Sequence, residues 1–425
     1  MKKNILLFTL LILATVVQAQ SLMECRKMAY DNYPEIRQYN LIDETEQYNL
    51  SNAAKAWIPQ VVLSGQATYQ SATPTYPERF SDLMSAYGIE MTGLRNDQYK
   101  LAVDVSQNIW DGGLTKANKA IAKADAAEQR SRVDVSLYQL KMRVDQLYFG
   151  ILLLDERVAQ VKNAINVLES NLGRMKSYQK NGVARQSDVD AVEAELLTTL
   201  QTLKQIEASR SSYRRMLEVF IGSKLSDATL KRPEMTEVES RVSARPELAM
   251  FDAQTNLLSS KRQALRASLM PRFSAFAQGF YGYPGLDMFK DMMSSKWTLN
   301  ALVGVRMTWN LSAFYTKKND IAKLNTAGQQ VALQRDVFLF NTQMQTVQDD
   351  GEIDRLKSAI EDDKRIVELR KSVRIAAESN LKNGMIDATD LLQKIADENN
   401  ALLNLSTHEI ELLQAIYRLK TTLNQ

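Results

Sequence analysis

Cysteine and histidine are almost missing from this 425-residue chain, where Cys25 and His408 stand alone. One of each cannot supply the three or four Cys/His ligands of a structural zinc site, a disulfide framework, or a nucleophile paired with a nearby histidine. Neither sign of charge is in real excess, with 53 Lys and Arg against 50 Asp and Glu. Bulk charge therefore names no partner and gives no ground for nucleic-acid binding. Glycine signatures that cradle phosphates, G-x-x-x-x-G-K-[ST] and G-x-G-x-x-G, do not occur. The residues imply no cofactor, no metal and no enzyme. Seventeen methionines invite a copper-thioether reading, but only Met288, Met292 and Met293 group locally, and adaptable packing accounts for most of the others.

Long apolar runs are also scarce. The only one follows Lys2 and Lys3, from Ile5 to Val17, and small residues at Val17 and Ala19 complete the pattern of an export signal. Residues 1–19 are predicted to be removed, with Gln20 the first mature residue. Cys25 is predicted not to carry lipid, because Ser21, Leu22, Met23 and Glu24 intervene where a lipoprotein cysteine would directly follow the apolar core. Beyond the signal no run of about 18 apolar residues could form a membrane helix, so any membrane crossing must use strands.

Proline is thin too, at eight residues, and absent from Glu78 to Arg232 and from Gly285 to Gln425. In the first of these stretches apolar residues recur at Val133, Leu137, Leu140, Val144, Leu147, Ile151, Leu154, Val158, Val161, Ile165, Leu168, Leu172 and Met175. Steps of four and three throughout are a heptad repeat. They predict a helix over 113–180, roughly 100 Å long at 1.5 Å per residue. A turn at Asn181 and Gly182 leads to a returning helix over 186–221. The last hundred residues repeat the plan less cleanly. Val337, Phe340, Met344 and Val347 hold one register, Ile366, Leu369, Val373 and Ala376 another, and Gly351 marks the slip. These predict a helix over 312–382, a turn at Asn383 and Gly384, and a helix over 388–423 with a stripe from Leu391 to Leu423. Tyr33-Pro34-Glu35-Ile36 echoes Arg245-Pro246-Glu247-Leu248, and Lys180-Asn181-Gly182 echoes Lys382-Asn383-Gly384. The chain therefore reads as two repeats, 20–244 and 245–425, each a whole folding pattern. Helices over 22–57 and 246–267 and a segment over 222–244 complete the outline.

Four short segments alternate with period two: 60–71, 99–109, 272–282 and 298–309. About ten residues is the length of a tilted strand crossing an outer membrane. One face is wet, with Lys100, Asp104, Arg272, Gln278, Asn300 and Arg306, and all four tryptophans, Trp57, Trp110, Trp297 and Trp309, flank the strands as membrane-interface aromatics do. Four strands cannot close around a channel, and unpaired backbone in lipid costs several kcal/mol per group. Three copies would supply twelve strands, an even number.

The export signal, the duplicated halves, Trp57-Ile58-Pro59, the stretch SQNIWDGG at Ser106 to Gly113, and the paired NG-x5-D turns resemble the TolC-like outer-membrane efflux proteins over Leu22 to Leu423. The resemblance implies a mainly α protein with membrane β structure. It would be a homotrimer with a 12-stranded β-barrel embedded in outer-membrane lipid and continued by an α-helical tunnel through the periplasm. The segment 222–244, with Lys224, Asp227, Arg232, Pro233 and Glu234, would lie in a belt around the tunnel. The implied partners are a periplasmic adaptor (membrane-fusion) protein and an inner-membrane efflux pump, with this chain the passive exit duct for drugs or other small molecules. Asn181, Gly182 and Val183 in one hairpin tip and Asn383, Gly384 and Met385 in the other would dock the adaptor. Tyr178, Arg185, Asp188, Asp387, Asp390 and Gln393 form the implied gating set. Asp188 matches a position in a network tying helices shut, and Asp390 one in an acidic ring. Gln393 stands where a second acidic ring often lies, and Asn380 and Ile386 replace an aromatic and a basic residue, so closure is expected to rely more on the first hairpin.

Other readings stay open at this stage. Asp188 and Asp390 also sit where a carboxylate caps a helix start. Drug efflux and type I protein secretion share such a duct, and a trimeric coiled-coil stalk would also use long heptads. The acid runs Asp349, Asp350, Glu352 and Glu361, Asp362, Asp363 read as solvated helix faces, and His408 as a residue on a polar side near Glu409 and Glu411.

Overall fold

The computed structural model describes residues 21–91, 93–225, 230–236, 238, 240–383 and 385–425. The predicted signal peptide, Asp227 and Gly384 lie outside the described residues. Helices are α1 (Leu22–Asn32), α2 (Gln38–Ala54), α3 (Glu78–Ala86), α4 (Leu114–Lys180), α5 (Gln186–Ile221), α6 (Pro246–Ser268), α7 (Met288–Met293), α8 (Ala313–Lys382) and α9 (Ala388–Leu423). Strands are β1 (Gln60–Tyr69), β2 (Asp97–Trp110), β3 (Arg272–Tyr283) and β4 (Thr298–Thr308). The single helix expected over 22–57 is broken. Tyr33 is extended ahead of Pro34, because a proline ring clashes with helical geometry in the residue before it, and short 3-10 turns at Pro34–Arg37 and Lys55–Trp57 flank α2.

Two units emerge, and both take residues from each half of the sequence. The described residues of the first are those of 21–39, Ser131–Met250 and Leu333–Gln425. Here the heptad stripe of α4 is the core, with Val144 and Ile151 wholly buried beside Tyr148, Phe149, Leu217 of α5 and Cys25 of α1. A fully buried side chain of this size contributes about 1.5–3 kcal/mol. α1 starts cleanly because Ser21 N donates to the Glu24 carboxylate (2.8 Å) while Glu24 N donates to Ser21 Oγ (3.3 Å), a reciprocal cap. Burial in this core pushes the Cys25 thiol up to about 11, which leaves it unreactive near neutral pH. The 222–244 segment has neither helix nor strand among its described residues, but it is not loose. Leu225 and Leu230 join the core, Tyr148 donates to Lys231 O (2.5 Å), and Ala244 N donates to Leu423 O (2.9 Å).

α8 departs from expectation. Its buried side holds Thr342, Asp349, Ile353, Leu356, Ile360 and Asp363, whereas both predicted apolar registers face outward. Phe340 is 63% exposed and Val347 64%, and Met344, Leu369 and Val373 are exposed as well. Packing against α9 selected a face with more polar residues, leaving the more apolar stripe uncovered in the single chain. The acid runs are corrected for the same reason. Asp349 is wholly buried, accepting from Arg418 Nε (2.6 Å), Gln345 Nε2 (3.0 Å) and Thr422 Oγ1 (3.3 Å). Asp363 is buried against His408 Nδ1 at 2.6 Å, so His408 faces that carboxylate on α8.

The second unit comprises Asn40–Arg130 and Phe251–Ala332. Its sheet is antiparallel in the order β1-β2-β3-β4. The register sets Val61 opposite Val105, Leu63 opposite Val103, Gly65 opposite Leu101, Ala277 opposite Val303 and Ala275 opposite Val305, gathering the predicted alternation onto one apolar face. Among the described residues both outer strands, β1 and β4, have one edge without a partner strand. The DGG turn after β2 has a specific reason. Asp111 accepts from Gly113 N (2.9 Å) and Thr115 N (2.6 Å) to open α4, and Gly112 and Gly113 carry φ of +69° and +87°. Burial pushes the Asp111 carboxyl up, but the hydrogen bonds from Thr115 and Gly113 outweigh it and hold it below the usual carboxylate range.

Candidate functional site

The two hairpin tips belong to the first unit and pack together. Met175, Val189 and Val192 are buried in one cluster with Tyr178, Ala184, Leu381 and Leu392 against them, and Ala377, Leu391 and Ile395 form another with Ile386. At the first tip the chain turns through Gly182, φ +72°. Val183 N donates back to Tyr178 O (2.9 Å) and Gly182 N to Gln179 O (3.0 Å), closing the end of α4 as glycine closures do. Arg185 N then donates to the Asp188 carboxylate at 2.8 Å. Asp188 is thus a half-buried cap at the start of α5, and Arg185 projects its side chain into solvent.

The second tip is built differently. Met385 N donates to Asn380 O (2.9 Å), and Asp387, not Asp390, is the cap, its carboxylate accepting from Asp390 N at 2.9 Å. The Asp390 side chain is exposed and free of this duty. Gln393 donates to Asp397 (2.9 Å), which also accepts from Arg370 (2.8 Å). One turn further, Arg374 binds Glu398 and Glu378. Arg374, Glu378 and Glu398 line a cavity of about 360 Å³ with Asn163, Asn166 and Arg174. The Arg374–Glu398 pair carried no signal in the sequence beyond alternating charge on helices. Asn181, Val183, Asn383 and Met385 are exposed at the tips.

At the opposite end of α9 two carboxylates are tied in parallel. Asp145 of α4 accepts two bonds of 2.6 Å from Arg26 and one of 3.4 Å from Thr421, while Asp349 of α8 is bound by Arg418 and Thr422. A cavity of about 690 Å³ lies beside them, lined in part by Arg143, Arg245 and Phe338.

In the second unit the tryptophans mark both ends of the sheet. Trp297, just before β4, stacks on Tyr99 at 5.9 Å and lies 5.3 Å from Tyr281. At the other end Trp309 Nε1 donates to Leu269 O (2.9 Å), Trp110 meets Phe273 at 5.9 Å, and Trp57 lies just before β1. Between these ends runs the apolar face, with Val61, Leu63, Leu299, Val303 and Val305 all well exposed, and no helix is long and apolar enough to cross a membrane among the described residues.

The profile of the outer membrane efflux protein family matches residues 26–223. Across nearly the whole length the fold resembles VceC of Vibrio cholerae, with 15% identity, a TM-score of 0.66, and coverage of 95% of this chain and 94% of that one. The chain carries the fold of the outer-membrane efflux channels. CmeC of Campylobacter jejuni (12% identity, TM-score 0.65, 96% and 86% covered) and MtrE of Neisseria gonorrhoeae in its open state (14%, 0.66, 95% and 88%) share it. No curated protein matches by sequence. The solved proteins it resembles are described as an outer-membrane protein and as outer-membrane channels.

Proposed function

We propose that this efflux protein is the exit duct of a tripartite system. Three copies join into one barrel and tunnel that passively conducts drugs or other small molecules received from an inner-membrane pump through a periplasmic adaptor. The observation that carries this reading is the four-stranded sheet with an apolar face and two unpartnered edges. In lipid those edges must be satisfied, and joining β1 of one copy to β4 of the next satisfies every edge once the ring closes. The outward stripe of α8 supports the same assembly, because Phe340, Met344 and Val347 give a neighbouring copy an apolar surface to cover. Tips then face an adaptor with Asn181, Gly182, Val183, Asn383 and Met385, and Asp390, exposed and not committed to capping, is the carboxylate available to a constriction. Three such carboxylates on one axis favour cations.

Purified protein in detergent is expected to have about three times the 48.1 kDa of the chain, less the signal. It is expected to show a small cation-selective conductance that Asp390→Ala changes. Phe340→Glu is expected to yield monomers. A conducting monomer, or a trimer indifferent to Phe340→Glu, refutes the assembly. A trimer that never conducts refutes the duct.

A further inference from the structure

The wet face of the sheet is more organised than a water-filled wall requires. Phe276 and Phe280 stand four residues apart on β3 and on that face, about 13 Å at strand rise. Each ring lies under a cation from a neighbouring strand. The Arg306 guanidinium sits 4.5 Å from the centre of the Phe276 ring, and Lys100 Nζ sits 4.2 Å from that of Phe280. Gly304, directly opposite Phe276, makes room for its ring, since a Cβ there would lie 3.0 Å from it. Between the two pairs Gln278 accepts from Lys100 (2.8 Å) and donates to Asp104. Among the described strand residues Asp104 is the one acid on the face that carries Lys100, Arg272 and Arg306, and no ion pair joins either arginine to a carboxylate of the described residues.

We propose that this face is a binding lane for flat aromatic anions, with Arg306 on Phe276 as its principal platform and Lys100 on Phe280 as a second. Arg306 lies over one ring and is itself exposed, so the side of its guanidinium away from Phe276 is open. The ring of an aromatic carboxylate or sulfonate can therefore stack on that face while its anionic group is held by the positive charge. An aliphatic anion of equal charge has no stacking surface to offer. The lane selects on aromaticity, a property that a ring of carboxylates does not read. It rests on the reading of the sheet as one third of a barrel wall with this face inward.

The test adds 2-naphthalenesulfonate or methanesulfonate to the loop side of wild-type channels in planar bilayers and titrates the same anions calorimetrically against the trimer in detergent. Naphthalenesulfonate is expected to block conductance and bind. Arg306→Gln and Phe276→Leu are each expected to raise the half-blocking concentration at least about fivefold, with Arg306→Lys intermediate. Circular dichroism confirms that each variant folds. Equal block by methanesulfonate, or block and binding unchanged in Arg306→Gln, overturns the lane. If the trimer binds but does not conduct, the duct reading fails while loss of binding in Arg306→Gln sustains the lane.

Discussion

Arg418 and Asp349 form an ion pair with unequal exposure, and removing either partner therefore has unequal consequences. The Asp349 side chain is 0% exposed, whereas 43% of Arg418 reaches solvent. Arg418→Ala strands a carboxylate inside the helix packing with only Gln345 and Thr422 as donors, the situation in which breaking a buried pair costs about 3–5 kcal/mol. Asp349→Ala leaves a guanidinium that turns to water, so its cost falls toward that of a lost charge-assisted hydrogen bond, about 1.5–3 kcal/mol. In the double variant the stranded charge is gone, and the loss is expected to be smaller than for Arg418→Ala alone. Urea unfolding of the detergent-solubilised protein, followed by far-ultraviolet circular dichroism at fixed protein concentration, orders the three midpoints. If Arg418→Ala unfolds no earlier than Asp349→Ala, or the double variant is the least stable of the set, the burial argument is wrong.

Two further outcomes follow from single sites. Gly112→Ala meets both a left-handed backbone and a Cβ 2.6 Å from Met270 Cβ, whereas Gly113→Ala meets only the backbone conformation. The first is expected to cost about 1–3 kcal/mol more than the second, as read from unfolding midpoints. The Lys141 ammonium is pushed down to about 8 by burial first and Arg26 second, against the pull of Asp145. The unfolded chain thus binds a proton that the folded chain gives up between pH 8 and the usual lysine value, and stability at this site rises with pH through that window. Lys141→Met is expected to stabilise at pH 7 and to lose that gain by pH 10, which midpoints at the two pH values check.

Much of this molecule was legible in its sequence because its elements are long and strictly periodic. The α4 stripe is in the core, and the strand alternations meet on one face because a period of two leaves a register little choice. What escaped has a physical reason in each case. Period alone showed that α8 is a helix but not which of its faces meets α9, so the register that holds Phe340 and Val347 did not reveal that the chain leaves them outside. A carboxylate on a charged helix reads as surface whether or not an arginine waits across the groove, and Asp349 and Asp363 were misjudged for that reason. Asp188 could be placed at a helix start from the turn before it. The division of labour at the second tip, with Asp387 as cap and Asp390 left free, depends on which residue stops being helical, and spacing does not reveal that.

The sheet also dictates when it can form. β1 with β2 and β3 with β4 are neighbours along the chain, but the central β2–β3 ladder joins Trp110 to Phe273 across every residue of α4, α5 and α6. Closing so long a loop is slow relative to local pairing. The two hairpins are expected to wait for one another until that helical insert has collapsed and drawn their bases together. A chain halted before Arg272 is left with a β1–β2 ribbon whose β2 edge has no β3 to pair with, an open template for pairing with other chains.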